Sequence, residues 1–265
     1  MNYKFAFVSS HIPKTLPIDA LRMEDNGTVN LEHAQEEHNN YIAALKDIGL
    51  NVIPLNIKDS DPDSVFVEDT MVIRDNKVLI TRPGTHNRRK ETITTLYNLL
   101  DYIEQEDKKL SLHIMTAPNS LEGGDVLFTG SEFFVGISPR TNEGGFNYLQ
   151  SVFTDYHCHK IYVEGTLHLK TIVSMVAENT ICIGITPTCK KIKEQFLAIT
   201  DKYKFIEVPD EAAANVIAAN GNLIIREEYP ESAKILRNIN PNVLVVSNIE
   251  LEKVDGSLTC CSVLF

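Results

Sequence analysis

Two hydrophobic periods alternate along the chain. Five stretches return apolar residues to one face every third or fourth position, which predicts helices over residues 31–48, 88–103, 142–153, 188–199 and 230–239. The first stops at Gly49, a residue suited to ending a helix, and the last carries Pro230 at its first turn, where no backbone donor is needed. Each leads into a short apolar run that reads as a strand: residues 51–55, 112–115, 160–163, 204–208 and 243–246. After each strand comes a polar loop, and then two apolar segments around a tight-turn signal. Residues 70–74 and 77–81 flank Asp75-Asn76, 126–129 and 132–138 flank Gly130-Ser131, and 173–177 and 180–185 flank Glu178-Asn179. Residues 216–219 and 222–226 flank Asn220-Gly221, the strongest short hairpin signal. The fifth module has only residues 260–265 before the chain ends, and residues 3–9 could supply its missing strand.

The hairpins recur at roughly 40–55-residue intervals, the range of repeat architectures. Five copies of hairpin, helix and strand, the last completed by the opposite terminus, predict an α/β fold: a closed five-bladed α/β propeller with pseudo-fivefold repeats. An ordinary α/β sandwich would alternate the same elements without closing a ring. No linker, low-complexity tract or charge block interrupts the 265 residues, so one catalytic-size domain over residues 1–265 is expected.

Composition narrows the partners. Acids outnumber bases 36 to 25, a formal charge of −11, which disfavours nucleic acid and favours cationic small molecules. No apolar run approaches the roughly 20 residues that span a bilayer, and the first ten residues are too short and mixed for a signal peptide. Five cysteines without a framework spacing point to free thiols in a reducing compartment. A soluble cytoplasmic protein is expected, with neither nucleic-acid nor membrane partners.

The repeat also makes a geometric statement. The loop before each hairpin occupies an equivalent place, so all five should gather near the axis. They carry Asp63, Glu68 and Asp69; Asn119, Glu122 and Asp125; His168; Glu211 and Asn215; and Asp255, Thr259 and Cys260. A thiol, an imidazole and carboxylates facing one another are the set that nucleophilic catalysis needs. Taken alone, Cys260 at the head of an apolar run and His168 within Leu-His-Leu would read as core residues; equivalent placement in two modules favours function. His157-Cys158-His159 resembles a metal tract, but alternate strand residues point to opposite faces and no fourth ligand is near in sequence. Clustered acid at the proposed centre suits a guanidinium. Arg88-Arg89-Lys90 and Arg140 lie on neighbouring segments, so an amino acid with a cationic side chain would match both ends.

These residues fall into an ordered set. Phe66-Val-Glu-Asp-Thr70, Thr81-Arg-Pro-Gly84 with Arg88-Arg-Lys-Glu91, Leu121-Glu-Gly-Gly-Asp125, Arg140-Thr-Asn142, Leu167-His-Leu-Lys170, Glu252-Lys-Val-Asp-Gly256 and Leu258-Thr-Cys-Cys261 resemble dimethylarginine dimethylaminohydrolase, from about Leu21 to the C-terminus. The resemblance implies the five-bladed α/β propeller (pentein) fold of the guanidine-modifying superfamily, and hydrolysis of methylated arginine to citrulline. It implies Cys260 as nucleophile, His168 as general acid and base, and Glu122 as the residue orienting His168. Asp69 and Asp255 would hold the guanidinium with Glu68 in support, and Arg88 and Arg140 the substrate carboxylate. Asp63 and the Leu21 carbonyl would take the α-amino group, and the Val254 carbonyl would face substrate. No metal or organic cofactor is implied; zinc on Cys260 and His168 would act as an inhibitor. Arginine deiminase is the nearest enzymatic alternative, an amidinotransferase a more distant one, and a non-catalytic five-bladed binding protein the alternative of another class.

Overall fold

A computed structural model describes residues 1–23, 25–106 and 109–265. Its strands form five three-stranded sheets built on one plan. An inner strand pairs antiparallel with a middle strand through a hairpin, and a third, outer strand pairs parallel with the middle one. Parallel neighbours cannot be joined by a tight turn, so a helix makes each crossover. Met71–Arg74, Lys77–Ile80 and Ser111–Ile114 form the first sheet, with helix Arg89–Gln105 as crossover. Val126–Phe128, Glu132–Ile137 and His157–Tyr162 follow with helix Glu143–Val152. Val173–Ala177, Thr180–Gly184 and Lys204–Val208 use Pro187–Ile199. Ile217–Ala219, Asn222–Arg226 and Val243–Val246 use Pro230–Ile239.

The fifth sheet joins the two chain ends as expected. Ser262–Leu264 pairs antiparallel with Phe5–Ser9, which pairs parallel with Asn51–Leu55 beyond helix Leu31–Asp47. Phe7 stacks on Phe265 at 4.8 Å, with Tyr102 against the edge of Phe7 at 5.2 Å. Pro54 sits in the outer strand, where a missing donor faces no further ladder. Asp75, Asn179 and Asn220 take positive φ at the hairpin turns, the conformation that two-residue turns demand and Asn and Asp tolerate.

Small differences from the sequence reading have local causes. The crossover of the third sheet starts at Pro187 because Thr186 caps it, its hydroxyl accepting from the Cys189 amide at 3.3 Å. The outer strand of the second sheet begins at His157, not Lys160, and this removes the metal reading of the tract. Cys158 faces away from its two neighbours in the pleat, and His159 Nε2 instead meets Glu132 Oε2 at 2.8 Å. No helix among the described residues is long and apolar enough to cross a membrane.

Inner strands from all five sheets line an axial cavity of about 140 Å³. Above it, short helical turns at Val67–Thr70, Gly123–Asp125, Leu169–Ile172, Glu211–Ala214 and Thr259–Cys261 lead into those strands. These turns are the five equivalent loops of the sequence reading.

Candidate active site

The axial turns bring widely separated residues to one small cavity. Leu21, Asp63, Phe66, Asp69, Arg88, Arg140, Leu167, His168, Val254, Asp255 and Cys260 line it. Its volume is about 20 Å³, room for about one water molecule. Cys260 and His168 therefore share a wall although 92 positions and two modules separate them in the chain. Phe66 and Leu167, not singled out by the sequence, complete the lining.

His168 sits just ahead of Leu169–Ile172, and its Nε2 meets Glu122 Oε2 at 2.7 Å with both side chains buried. Burial alone would lower the imidazole pKa. The negative charge of Asp69, the hydrogen bond to Glu122 and the charge of Asp125 outweigh it and raise the value to about 9, so the ring is an imidazolium at neutral pH. Glu122 responds in the opposite direction: despite burial, the bond from His168 keeps its pKa below the usual carboxylate range. Asp125 accepts from Leu169 N at 2.9 Å and from Ser138 Oγ at 2.7 Å, fixing the backbone beside His168.

Asp69 is buried on the first turn. Burial would raise its pKa, but the charges of His168 and Arg88, with hydrogen bonds from Arg88 and Gly124 N, bring it down to about 2. Arg88 lines the cavity as well. Its guanidinium is 4% exposed and is committed to Asp69 Oδ2 at 2.5 Å, to Glu91 Oε2 at 2.9 and 3.1 Å, and to the carbonyls of Asp63 and Phe66. It neutralises the buried acid of Asp69 and Glu91 at the cavity wall. Arg140 is the more open cation, with Nη1 at 3.4 and 3.5 Å from the Glu122 oxygens.

Glu68 stands behind these residues. It does not line this cavity; Lys170 Nζ at 2.5 Å and Thr259 Oγ1 at 3.1 Å hold it beside the axial cavity. Asp63 accepts from Leu21 N at 3.1 Å, and burial raises its pKa. Asp255 takes a positive φ of 59° and accepts from Met23 N at 2.5 Å. Gly256 beside it packs so tightly that a Cβ would lie 2.5 Å from the Phe66 ring. Asn119 and Glu211, although on the right loops, do not line the cavity.

The Cys260 thiol is partly buried on the fifth turn. Desolvation, then the neighbouring carboxylates of Glu68 and Asp69, push its pKa well above the ordinary thiol value. Asp69, Glu122 and His168 offer ligand atoms within 4.8 Å of one another, but Asp69 is spent on Arg88 and Gly124, and Glu122 on His168. Within that group the geometry is a proton-holding network, and Cys260 stands outside it.

A family model described as N,N dimethylarginine dimethylhydrolase, eukaryotic, matches residues 11–247. An N(G),N(G)-dimethylarginine dimethylaminohydrolase from Streptomyces coelicolor is 33% identical over 235 residues, covering 87% of this chain and 85% of the relative. The protein of that name from Pseudomonas aeruginosa is 28% identical, covering 98% of this chain and all of the relative. The solved structure of a cysteine-to-serine mutant of the Pseudomonas aeruginosa enzyme complexed with citrulline superposes with a TM-score of 0.87 at 26% identity, covering all of both chains.

Proposed function

The chain belongs to the N,N-dimethylarginine dimethylhydrolase family, and from that premise we propose how its residues convert Nω,Nω-dimethylarginine and water to citrulline and dimethylamine. Monomethylarginine would release methylamine by the same route. The observation that carries the proposal is the shared cavity of Cys260, His168, Asp69, Asp255 and Arg140. The groups it needs come from four of the five modules, so residues 1–265 act as one catalytic domain.

Substrate enters as a cation at both its α-amino group and its guanidinium. Asp63 and the Leu21 carbonyl take the α-amino group, Arg140 takes the carboxylate, and Asp69 and Asp255 align the guanidinium with the sulfur while the Val254 carbonyl faces it. Admission requires the Met23–Asp255 hydrogen bond to open. Arg88 keeps Asp69 ionised; Glu68 acts at one remove, through the Thr259 hydroxyl. The arriving guanidinium supplies the positive charge that the thiol lacks, so its proton leaves to solvent and a thiolate forms. Sulfur attacks the guanidinium carbon, making a C–S bond and a neutral tetrahedral adduct. His168, already protonated and held by Glu122, donates to the dimethylated nitrogen. That C–N bond breaks and dimethylamine departs, leaving a thiouronium on Cys260 and a neutral imidazole. His168 then takes a proton from water, whose oxygen attacks the same carbon. The C–S bond breaks, and citrulline leaves as the second adduct sheds its remaining proton. No metal or organic cofactor takes part in these steps.

Free thiols at all five cysteines and the acidic surface support a cytoplasmic location without nucleic-acid partners. The deciding experiment measures citrulline release from arginine, monomethylarginine and Nω,Nω-dimethylarginine, beside Cys260→Ser. Release from the methylated substrates, abolished in a folded Cys260→Ser, is expected. Preference for unmethylated arginine would favour a deiminase, and unchanged turnover in Cys260→Ser would rule out the covalent route.

A further inference from the structure

Four of the five axial turns carry the groups assigned above: Asp69, Glu122, His168 and Cys260. The fourth turn, Glu211–Ala214, brings no reactive group to the cavity. Glu211 lies instead against Gly184, where an added Cβ would come within 3.0 Å of it. What this module does send to the axis is Asn215, the residue that ends its turn, and Asn215 is fully buried.

The Asn215 amide is completely engaged. Its Nδ2 donates to the Lys170 carbonyl at 2.7 Å and to Thr259 Oγ1 at 3.0 Å, and its Oδ1 accepts from Thr259 N at 3.0 Å. The orientation is unambiguous, because a carbonyl can meet only the NH2 end and a backbone N–H only the oxygen. Lys170 lies two residues past His168, and Thr259 directly precedes Cys260. One side chain thus ties the backbone that carries the imidazole to the backbone that carries the sulfur. The chain continues through Thr259 Oγ1 to Glu68 Oε2 at 3.1 Å and from Lys170 Nζ to Glu68 Oε1 at 2.5 Å. Four modules are joined in one closed ring of polar contacts beneath the reacting groups.

We propose that Asn215 is a positioning residue that fixes the separation and relative orientation of Cys260 and His168. It acts through Thr259 and Lys170 and does not line the cavity that would hold substrate. The inference deepens the reading of Cys260 and His168 as nucleophile and proton carrier, and rests on it. A planar amide is the group the site requires: aspartate of the same shape loses both donors, and leucine loses donors and acceptor together.

The test uses the full chain and begins with the parent, whose release of citrulline from Nω,Nω-dimethylarginine is the control for the functional reading. Asn215→Asp and Asn215→Leu should then lower kcat about 10- to 100-fold with KM within about threefold, since misplacing reacting groups by about 1 Å costs on the order of 10²-fold. Rates are expressed per folded molecule, scored by melting and by one equivalent of alkylated Cys260. Thr259→Ser keeps the hydroxyl link and should recover the parental kcat to within about threefold, whereas Thr259→Val should lose about tenfold. A parent that turns over while both Asn215 variants keep kcat within about threefold overturns the inference alone. So does a loss that appears only in KM, or one that vanishes after correction for folded protein. Should the Asn215 variants not fold, equal kcat in Thr259→Ser and Thr259→Val overturns it. A parent without turnover removes the functional reading and this inference together.

Discussion

A single methyl group at Gly124 should cost this site more activity than stability. The Gly124 amide donates to Asp69 Oδ1 at 2.9 Å, and its α-carbon faces the imidazole. A Cβ built there would lie 2.6 Å from His168 Nδ1, 2.8 Å from its Cγ and 3.0 Å from Asp69 Oδ1. Ordinary contact begins at 3.4 Å, so the ring must retreat by about 0.8 Å. It has no slack, because Nε2 is held by buried Glu122 at 2.7 Å. The same displacement along that bond would stretch it to about 3.5 Å, beyond useful hydrogen-bond length. A charge-assisted bond of this kind contributes about 1.5–3 kcal/mol, and a shift near 1 Å in a reacting group costs about 10²-fold in rate. Gly124→Ala is therefore expected to lower kcat about 100-fold and Tm by about 3–10 °C. KM should rise by a smaller factor, since Asp69 is crowded as well while Arg140 and Asp63 are not. Citrulline release and calorimetry measure both effects. Gly221→Ala is the control: its φ of +78° adds strain, but nothing lies within 4 Å of the new Cβ, so Tm should drop while kcat does not. A Gly124→Ala protein with parental kcat and Tm would mean that His168 is not held where its proton is needed.

Four other outcomes follow from the charges of the site. The folded pKa of His168 is about 9 against an ordinary 6.5, so its contribution to stability is complete below pH 6.5 and lost as pH rises through 9. Melting measured from pH 6 to 10 should fall across that window in the parent and fall less in Glu122→Gln; identical curves would discard the Glu122 bond as a cause. Asp69 has the opposite sign: its pKa is depressed to about 2, so its contribution is present above pH 3.8 and fades below it. Alkylation of Cys260 by neutral iodoacetamide should rise with pH without a plateau below pH 9, because burial and the Glu68 and Asp69 charges oppose the thiolate. A cationic haloacetamidine should react faster at pH 7, and a plateau near neutrality with iodoacetamide would contradict the stated charge balance. Arg140→Ala should mainly raise KM, as its contact with the substrate carboxylate is present before and during reaction; a collapse in kcat at unchanged KM would refute that assignment.

The ring was readable because its signals are local and repeated. Asn220-Gly221 and Asp75-Asn76 announce hairpins through φ preferences that few residues share, and helical periodicity marks the crossovers between them. Convergence of Asp69, Glu122, His168 and Cys260 then follows from equivalence of position, without any contact between neighbours in sequence. What the pattern could not carry is where a long side chain turns once it arrives. Arg88 stands at a helix start, a place where an arginine is commonly solvated, yet it folds inward because Asp69 and Glu91 would otherwise be buried without a counter-charge. Glu68 adjoins Asp69 in sequence, but the two occupy different surroundings: one belongs to Lys170 and Thr259, the other to Arg88 and Gly124. Asn215 was visible as a polar residue on an axial loop, and only the three bonds it makes give it a task.

The charges around Cys260 also impose a direction on the chemistry. Burial and the charges of Glu68 and Asp69 raise the Cys260 pKa, so a neutral molecule that enters meets little thiolate. In the proposed mechanism a guanidinium reverses that balance by its own charge, and is attacked because it has done so. Citrulline occupies the same length and keeps the same amino-acid end, but its ureido group is neutral. Its formation withdraws the positive charge that held the thiolate, the sulfur regains a proton, and the reverse attack loses its nucleophile. On that proposal, the buried carboxylates that raise the thiol pKa make reactivity conditional on the charge of the bound molecule.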